Sequence, residues 1–315
     1  MATPVTGQWL TQYVAPQLLQ EFKNYKDDFI GVLKGVPRGA ITADGVRWNR
    51  LLNTVNFYVN NTQTFTPQTI NGDKIFVEWE KYDTDPTAVT DEEARYLAYD
   101  KRSEVRIMHT DSFKIGIRDH VMYKLAPSDN TNPNMPIVRT TGSNDGTGRL
   151  RLTFEDMVKY LETIKRLNLP NMNELYIILT PEHSTDLILD NNSARFFADK
   201  QIYFDMATGK VRSILGFNFF ENNAVLAYDN NDVKKPKGAI LSSTDRAASL
   251  MFYAPETVYH IEGVKILFKP ETLDTRNPSP TSEFRLQTYG IVDRRQDYGF
   301  GAIVSGIATS SGNEE

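Results

Sequence analysis

A run of about 34 residues without proline, from Asp91 to Lys124, constrains the fold of this chain more than any other feature. Acidic residues open it at positions 91 to 93, where they complement the helix dipole, and Thr90 is a candidate N-cap. At ~1.5 Å of rise per residue, a continuous helix of this length would extend roughly 50 Å. Helices in globular proteins average three or four turns. The sequence therefore predicts a structural rod.

The predicted rod carries an incomplete apolar stripe, so we expect one face to rest on the subunit and the others to stay solvated. The stripe comprises Ala94, Leu97, Ala98, Val105, Met108, Ile115 and Met122. The charged candidates on its exposed faces are Arg95, Lys101, Arg102, Glu104 and Arg106. Gly116, between two β-branched isoleucines, predicts a kink or break in the last third. A helix followed by a strand is the alternative.

Composition excludes several classes of function. The chain has 315 residues, of which 40% are hydrophobic and 24% charged, which is typical of a folded protein. A formal charge of −5 gives no electrostatic drive toward nucleic acid or an acidic membrane. The absence of cysteine excludes disulfides and thiolate chemistry. Neither a signal-peptide pattern nor a membrane-spanning apolar run is present, so we expect synthesis in the cytosol and no membrane association.

Residues 1–45 are predicted to form an N-terminal arm with one short amphipathic helix. Apolar side chains recur at helical spacing before Gly35 and Pro37, at Leu18, Phe22, Tyr25, Phe29 and Leu33. This face could pack on its own core or on a neighbouring subunit, and the sequence leaves both open. Phe22 and Phe29 are accordingly candidates for a subunit interface.

Residues 46–88 change to the two-residue period of β-strands. One strand is predicted around Leu51, Val55, Phe57 and Val59, a second over residues 74–82, and a tight turn at Asn71-Gly72. The outer part of this hairpin has few large apolar residues and cannot form a core, so we expect it to lie on a partner. The hairpin supplies the remaining interface candidates: Phe65, Ile70, Asn71, Gly72, Trp79 and Tyr82.

The remainder predicts a compact α+β unit after a Pro- and Asn-rich loop at 127–148. Thr153 with Asp156 indicates a helix start, residues 175–179 a buried strand, and Thr180-Pro181 another helix start. Residues 238–253 are expected to contain a strand and a helix. Residues 284–306 are expected to return as a long strand.

No pattern indicates catalysis, a cofactor or a metal. His109 and His120 would lie roughly 16 Å apart along one helix, too far for a shared metal ion. The metalloprotease, Walker and nucleophile-elbow motifs are all missing from the sequence. An α+β enzyme with an unassigned carboxylate site is kept as an alternative.

The order of arm, hairpin, rod and α+β unit resembles the major capsid proteins of tailed bacteriophages, with the Hong Kong 97 type fold. Two stretches carry the local resemblance: WEKYDTDPTAVTDEEARYLAYDKRSEV at 79–105, and ATGKVRSILGFNFFENNAV at 207–225. The resemblance implies an N-terminal arm (1–45), an extended β-hairpin loop (46–88) and a peripheral domain (89–149 and 266–308) with a spine helix at about 91–124. It also implies an axial domain (150–265) and a polar tail (309–315).

The resemblance also implies self-assembly. Hexamers and pentamers would close into an icosahedral head around double-stranded DNA, with only weak non-specific contact to the DNA. Expected partners are other copies of the chain, a scaffolding protein, a portal and possible decoration proteins. The expected location is the virion, and the host cytoplasm during assembly. An encapsulin-like cargo compartment shell is the first alternative. Lys74 and Lys81 lie in the hairpin, but no matching Asn and Glu support the crosslink that some relatives form.

Overall fold

The computed structural model describes residues 27–51, 55–67, 69, 72–92, 100–190, 204–205, 210–211, 213–224, 226–271, 276 and 279–308. The long helices in this part are α1 (Lys101–Leu125), α2 (Phe154–Lys165) and α3 (Pro181–Leu189). The strands are β1 (Gly45–Leu51), β2 (Gly72–Glu78), β3 (Glu80–Asp83), β4 (Thr87–Thr90), β5 (Ile137–Arg139), β6 (Arg149–Leu150), β7 (Leu175–Leu179), β8 (Phe204–Asp205), β9 (Lys210–Val211), β10 (Ser213–Ile214), β11 (Phe217–Glu221), β12 (Leu226–Tyr228), β13 (Arg246–Tyr253), β14 (Thr257–Ile261), β15 (Lys265–Lys269), β16 (Thr281–Arg294), β17 (Phe300–Val304) and β18 (Gly306–Ile307). Mixed helices and sheets confirm the predicted α+β class.

Helix α1 begins later than predicted. Asp100 has an extended backbone, with φ −78° and ψ 91°, and its carboxylate accepts hydrogen bonds from the amides of Arg102 and Ser103. These contacts make Asp100 the N-cap, because a side-chain oxygen there satisfies amides that have no partner within the helix. Asp91 and Glu92 are helical, and residues 93–99 lie outside the described residues. A single helix from Asp91 is therefore wrong.

Helix α1 is also continuous through Gly116, where a break or a change to a strand was among the expectations. Its 25 residues extend roughly 37 Å. Its first half packs Val105 and Phe113 against β16, and its last half packs Val121 and Leu125 against the sheet that contains β7, β13 and β17. Burial of this face outweighs the low helix propensity of one glycine, which costs only about 1 kcal/mol.

Replacing Asp100 by alanine is expected to destabilise the subunit by about 1 kcal/mol, because two amides lose their acceptor. Urea unfolding of the unassembled chain measures this loss. Asp100→Asn is the matched control, since asparagine caps as well as aspartate and should retain most of the stability. Equal losses in both variants would contradict capping and point to the charge.

The central sheet runs in the order β10, β11, β7, β13, β17 and β5, with β12 also paired to β13. Helices α2 and α3 cover one face, where Met157, Tyr160 and Leu187 pack with Ile177 and Met251. The end of α1 covers the other face. The start of α2 is as predicted, with a complete capping box between Thr153 and Asp156. The helix expected within 238–253 is wrong, because residues 246–253 form β13 in the middle of this sheet.

A second sheet, the long-strand sheet, is built around β16. This 14-residue strand pairs with β14 and β15 along one edge and with β3 and β4 along the other. Its inward side chains, Phe284 and Leu286, are buried beneath α1. Because β5 and β17 belong to the central sheet while β14 belongs here, sheet pairing divides the chain differently from the predicted domain limits.

The hairpin forms, but with a different connection. Strands β1 and β2 pair from Gly45 opposite Glu78 to Leu51 opposite Gly72. Gly72 is thus the first residue of β2. The prediction that it forms a tight turn with Asn71 is therefore wrong. The residues between the strands are described at 55–67 and 69, and we call residues 55–67 the extended segment. It carries no regular secondary structure, so the strand predicted through Val55 and Val59 is also wrong.

Candidate functional site

The extended segment presents large apolar side chains to solvent. Phe57 is 88% exposed and Phe65 66% exposed, and Val55, Tyr58 and Val59 are exposed as well. Tyr58 and Phe65 contact each other, with ring centroids 5.7 Å apart. Several apolar residues left together in water mark a contact surface. Of the interface candidates, Phe65 is exposed in this segment, and its role in a subunit interface stays a prediction.

Trp79 and Tyr82 lie at the base of the hairpin and face their own subunit. The Trp79 indole donates a hydrogen bond to the carbonyl of Thr42 at 3.2 Å, and its ring meets His260 edge-on at 5.7 Å. Tyr82 packs beside Phe284 under α1. Both side chains are half-buried. They hold the hairpin to the subunit and offer little to a neighbour.

Phe29 is removed from the interface candidates. It is 1% exposed, and its ring packs against Phe252 in the central sheet at 6.5 Å. Residues 28–32 form a short 3₁₀ turn where an amphipathic helix was expected. Of the other candidates, Phe22, Ile70, Asn71 and Arg95 lie outside the described residues.

The charged candidates at the start of α1 are only partly available to a neighbour. Arg102 pairs with Glu271, which follows β15, and thereby ties α1 to the long-strand sheet. Lys101 and Glu104 are half-buried, whereas Arg106 is exposed. Of this set, the exposed Arg106 is the one most open to an outside contact.

A second exposed apolar surface lies on β15 and was not predicted. Ile266 is 65% exposed and Phe268 50% exposed. They stand opposite Leu286 and Phe284 in the antiparallel register, so they occupy the same sheet face as those buried side chains. Within the described residues, β15 pairs with β16 alone, which leaves its outer edge unpaired. The sequence shows only three consecutive apolar residues between two lysines, Lys-Ile-Leu-Phe-Lys at 265–269, which does not indicate which side chains are exposed.

Polar contacts anchor the chain just after the hairpin. The Glu80 carboxylate accepts hydrogen bonds from His120 and from Lys124, each at 2.6 Å, and from the Tyr82 hydroxyl at 3.1 Å. Burial raises the pKa of Glu80, but the Lys124 and His120 contacts outweigh it and hold that pKa below its ordinary value. Burial and the neighbouring Glu80 charge raise the pKa of Tyr82. The carboxylate therefore stays ionised and pins β3 to α1.

Across the described ranges, no three His, Asp or Glu side chains are grouped so as to hold a metal ion. In the same residues, no helix combines the length and the hydropathy needed to cross a bilayer.

Solved structures share this fold over nearly the whole chain. The capsid of cyanophage Pam1 superposes with a TM-score of 0.68 at 9% identity, covering 95% of this chain and 96% of that one. The capsid of cyanophage P-SCSP1u gives 0.65 at 13% identity, covering 98% and 96%. The mature capsid of bacteriophage PhiM1 gives 0.61 at 12% identity, covering 93% and 91%. No family model matches the sequence, and no curated protein does.

Identities this low establish the fold and nothing finer. The chain has the fold of phage capsid subunits, which confirms the resemblance read from the order of arm, hairpin, helix and α+β unit.

Proposed function

We propose that this chain is the major capsid protein of a tailed double-stranded DNA bacteriophage and that it assembles into hexamers and pentamers of an icosahedral head. The observation that carries the proposal is the match to capsid subunits over more than nine-tenths of both chains. The exposed apolar extended segment supports it, because such a surface calls for a partner. The protein acts as a structural subunit, with no catalytic role.

The contact that best fits these surfaces joins the extended segment of one copy to β15 of a neighbour. Strand β15 offers an unpaired edge and the exposed side chains of Ile266 and Phe268. The extended segment offers apolar side chains at every second position, at Val55, Phe57 and Val59. Edge strands recruit such segments by strand addition, with apolar residues alternating across the new pair. This pairing rests on complementarity between two surfaces of the same chain.

The remaining parts of the proposal, the partners and the location, follow if the chain is a subunit of a shell. A net charge of −5 suits a wall that encloses DNA with only weak, non-specific contact. A scaffolding protein, a portal and possible decoration proteins complete the proposed partners, with the virion as the final location and the host cytoplasm as the place of assembly. The similar structures favour neither an encapsulin-like compartment nor an α+β enzyme.

Electron microscopy of the purified full chain tests the proposal. We expect closed shells of uniform size, at raised protein concentration or after coexpression with candidate scaffolding proteins. Light scattering should then report either particles of many hundreds of subunits or discrete hexamers and pentamers. It should not report monomers alone. Monomers in every condition would overturn the proposal. Shells loaded with a specific protein cargo, with no nuclease-protected DNA, would replace it by the compartment alternative.

A further inference from the structure

Within the described residues, one face of the long-strand sheet is left uncovered along part of its length. Every second residue of β16 from Ser282 to Gly290 is buried, and those under α1 include Phe284 and Leu286. The residues between them point the other way, because successive side chains of a strand lie on opposite faces. The hairpin base covers this second face only at its far end, around Ile291. We call the uncovered part the open face; it comprises Lys265, Leu267 and Lys269 of β15 with Glu283, Arg285 and Gln287 of β16.

The open face and the adjoining strand β3 carry more positive than negative charge. Both carboxylates in this region are already held by a cation. Lys81 lies 2.7 Å from Asp83, and Lys269 lies 3.2 Å from Glu283. Because the whole chain has a net charge of −5, this positive region is a local departure from the charge of the protein.

Two further cations of this region lack a carboxylate of their own. Lys265 is exposed and forms no ion pair within the described residues; its ammonium lies 5.9 Å from the centre of the Tyr289 ring. Arg285 approaches only Asp83, at 3.7 Å, and that carboxylate already contacts Lys81 and Gln287. Both cations can therefore pair with carboxylates from outside the subunit.

A small cavity adjoins the open face. Its volume is about 270 Å³, and its lining includes Pro86, Leu267 and Phe268 together with Lys269 and Arg285. Pockets for small ligands usually measure about 300–1,000 Å³, so this cavity better fits a single apolar side chain. The DNA backbone has no apolar side chain to offer, whereas a protein does. The combination of cations and an apolar cavity favours a protein partner.

The register of the strands fixes the spacing of the groups that a partner would meet. Lys265, Leu267 and Lys269 point to the same side, and residues two apart on a strand are separated by about 7 Å. Arg285 stands opposite Leu267 on the neighbouring strand. An extended segment has the same repeat along its own length. It would match this row with a carboxylate, an apolar side chain and a second carboxylate at every second position.

This chain does not supply such a segment itself. The extended segment, residues 55–67, contains no Asp or Glu. The required spacing occurs once in the sequence, at Asp186, Ile188 and Asp190, where helix α3 and its C-cap hold the residues and Asp186 is buried. A strand added to the edge of β15 would lie beside the open face and would not cover it. The open face is therefore left for a different protein.

We propose that the open face binds an extended acidic segment of a second protein, in which two carboxylates flank one apolar residue at positions i, i+2 and i+4. One carboxylate pairs with Lys265, and the other lies between Lys269 and Arg285. The apolar side chain between them enters the cavity beside Leu267. The inference rests on the proposed function only in its consequence, that this second protein is an auxiliary component of the shell.

Fluorescence anisotropy of a labelled peptide, three repeats of Glu-Thr-Leu-Thr, tests this surface on the full chain at low ionic strength, where charge pairs are least screened. We expect saturable binding. Lys265→Glu should weaken it roughly tenfold, because one attraction is lost and a repulsion replaces it. Lys114→Glu is the matched control. Lys114 is exposed on α1, away from the open face, so the same change in net charge should leave binding unaltered.

Two altered peptides separate the parts of the contact. Gln in place of Glu removes the carboxylates, and Thr in place of Leu removes the apolar group; each peptide should bind at least about threefold more weakly. Absence of binding, equal binding of either altered peptide, or equal losses in both protein variants overturns the proposal. Tighter binding of a short DNA duplex, weakened by Lys265→Glu, also overturns it and makes the open face a DNA-facing wall. None of these measurements requires a shell, so their failure leaves the capsid proposal intact.

Discussion

Shell formation is expected to be lost when Phe57, Val59 and Phe65 are replaced together by serine, while the subunit stays folded. All three side chains are exposed in the subunit, so their removal costs it few contacts. Burial of apolar surface stabilises association by about 25 cal/mol per Å². In a closed shell the same contact recurs at every subunit, so the association free energy lost per contact is lost once for each subunit. Size-exclusion chromatography with light scattering measures assembly, and thermal unfolding measures the fold.

Ile240→Ser is the matched control for this triple variant. Ile240 is 98% exposed but lies in the loop between β12 and β13, far along the chain from the hairpin. It should assemble as well as the unaltered protein. Shells of normal yield from the triple variant would refute the role given to the extended segment. Trp79→Ala is not a suitable substitute, because Trp79 anchors the hairpin to its own subunit and its removal would disturb the subunit first.

Replacing Asp186 by alanine is expected to cost the subunit about 3–5 kcal/mol, a large share of the stability of an ordinary domain. Asp186 is 3% exposed and accepts two hydrogen bonds from Arg149, at 2.6 and 3.0 Å, plus one from the Leu152 amide at 3.0 Å. Without Asp186 the Arg149 guanidinium cannot escape by losing its charge, because arginine is not deprotonated in proteins. Urea unfolding of the unassembled chain measures the loss.

Glu182→Ala provides the comparison, since Glu182 approaches the same guanidinium at 3.7 Å from an exposed position. Exposed ion pairs contribute about 0–1 kcal/mol, so this variant should unfold close to the unaltered protein. A loss below 1 kcal/mol for Asp186→Ala would contradict the prediction. It would mean that Asp145, which lies 2.9 Å from Arg149, is sufficient to compensate the buried guanidinium charge in the variant.

The features that the sequence predicted well depend on neighbouring residues. The Thr153 and Asp156 capping box, the buried strand at 175–179 and the helix after Thr180-Pro181 all form as expected. Each is determined within about one helical turn or one strand, where side-chain chemistry and spacing decide the backbone. The fold of phage capsid subunits was recognisable because the order of these local elements survives where identity does not.

The errors concern choices that distant contacts make. The sequence analysis named Thr90 as the N-cap of a single long helix, whereas α1 begins after Asp100. Gly116 stays helical because α1 is packed along its length. The sequence allowed Phe29 to be either an interface residue or a core residue. Its contact with Phe252, which is distant in sequence, places it in the core. The apolar face of β15 could not be found, since exposure depends on α1 covering β16 and leaving its neighbour open.

The long-strand sheet can form only after β16 has been synthesised. Its partners β3 and β4 leave the ribosome about 200 residues earlier, and within the described residues they pair with no other strand. Until residues 281–294 emerge, the base of the hairpin has no sheet to join. Before then, only contacts with earlier parts of the chain hold this base, such as those of Glu80 with His120 and Lys124 on α1. The long-strand sheet is therefore completed only by strands made near the end of synthesis, about 200 residues after β3 and β4.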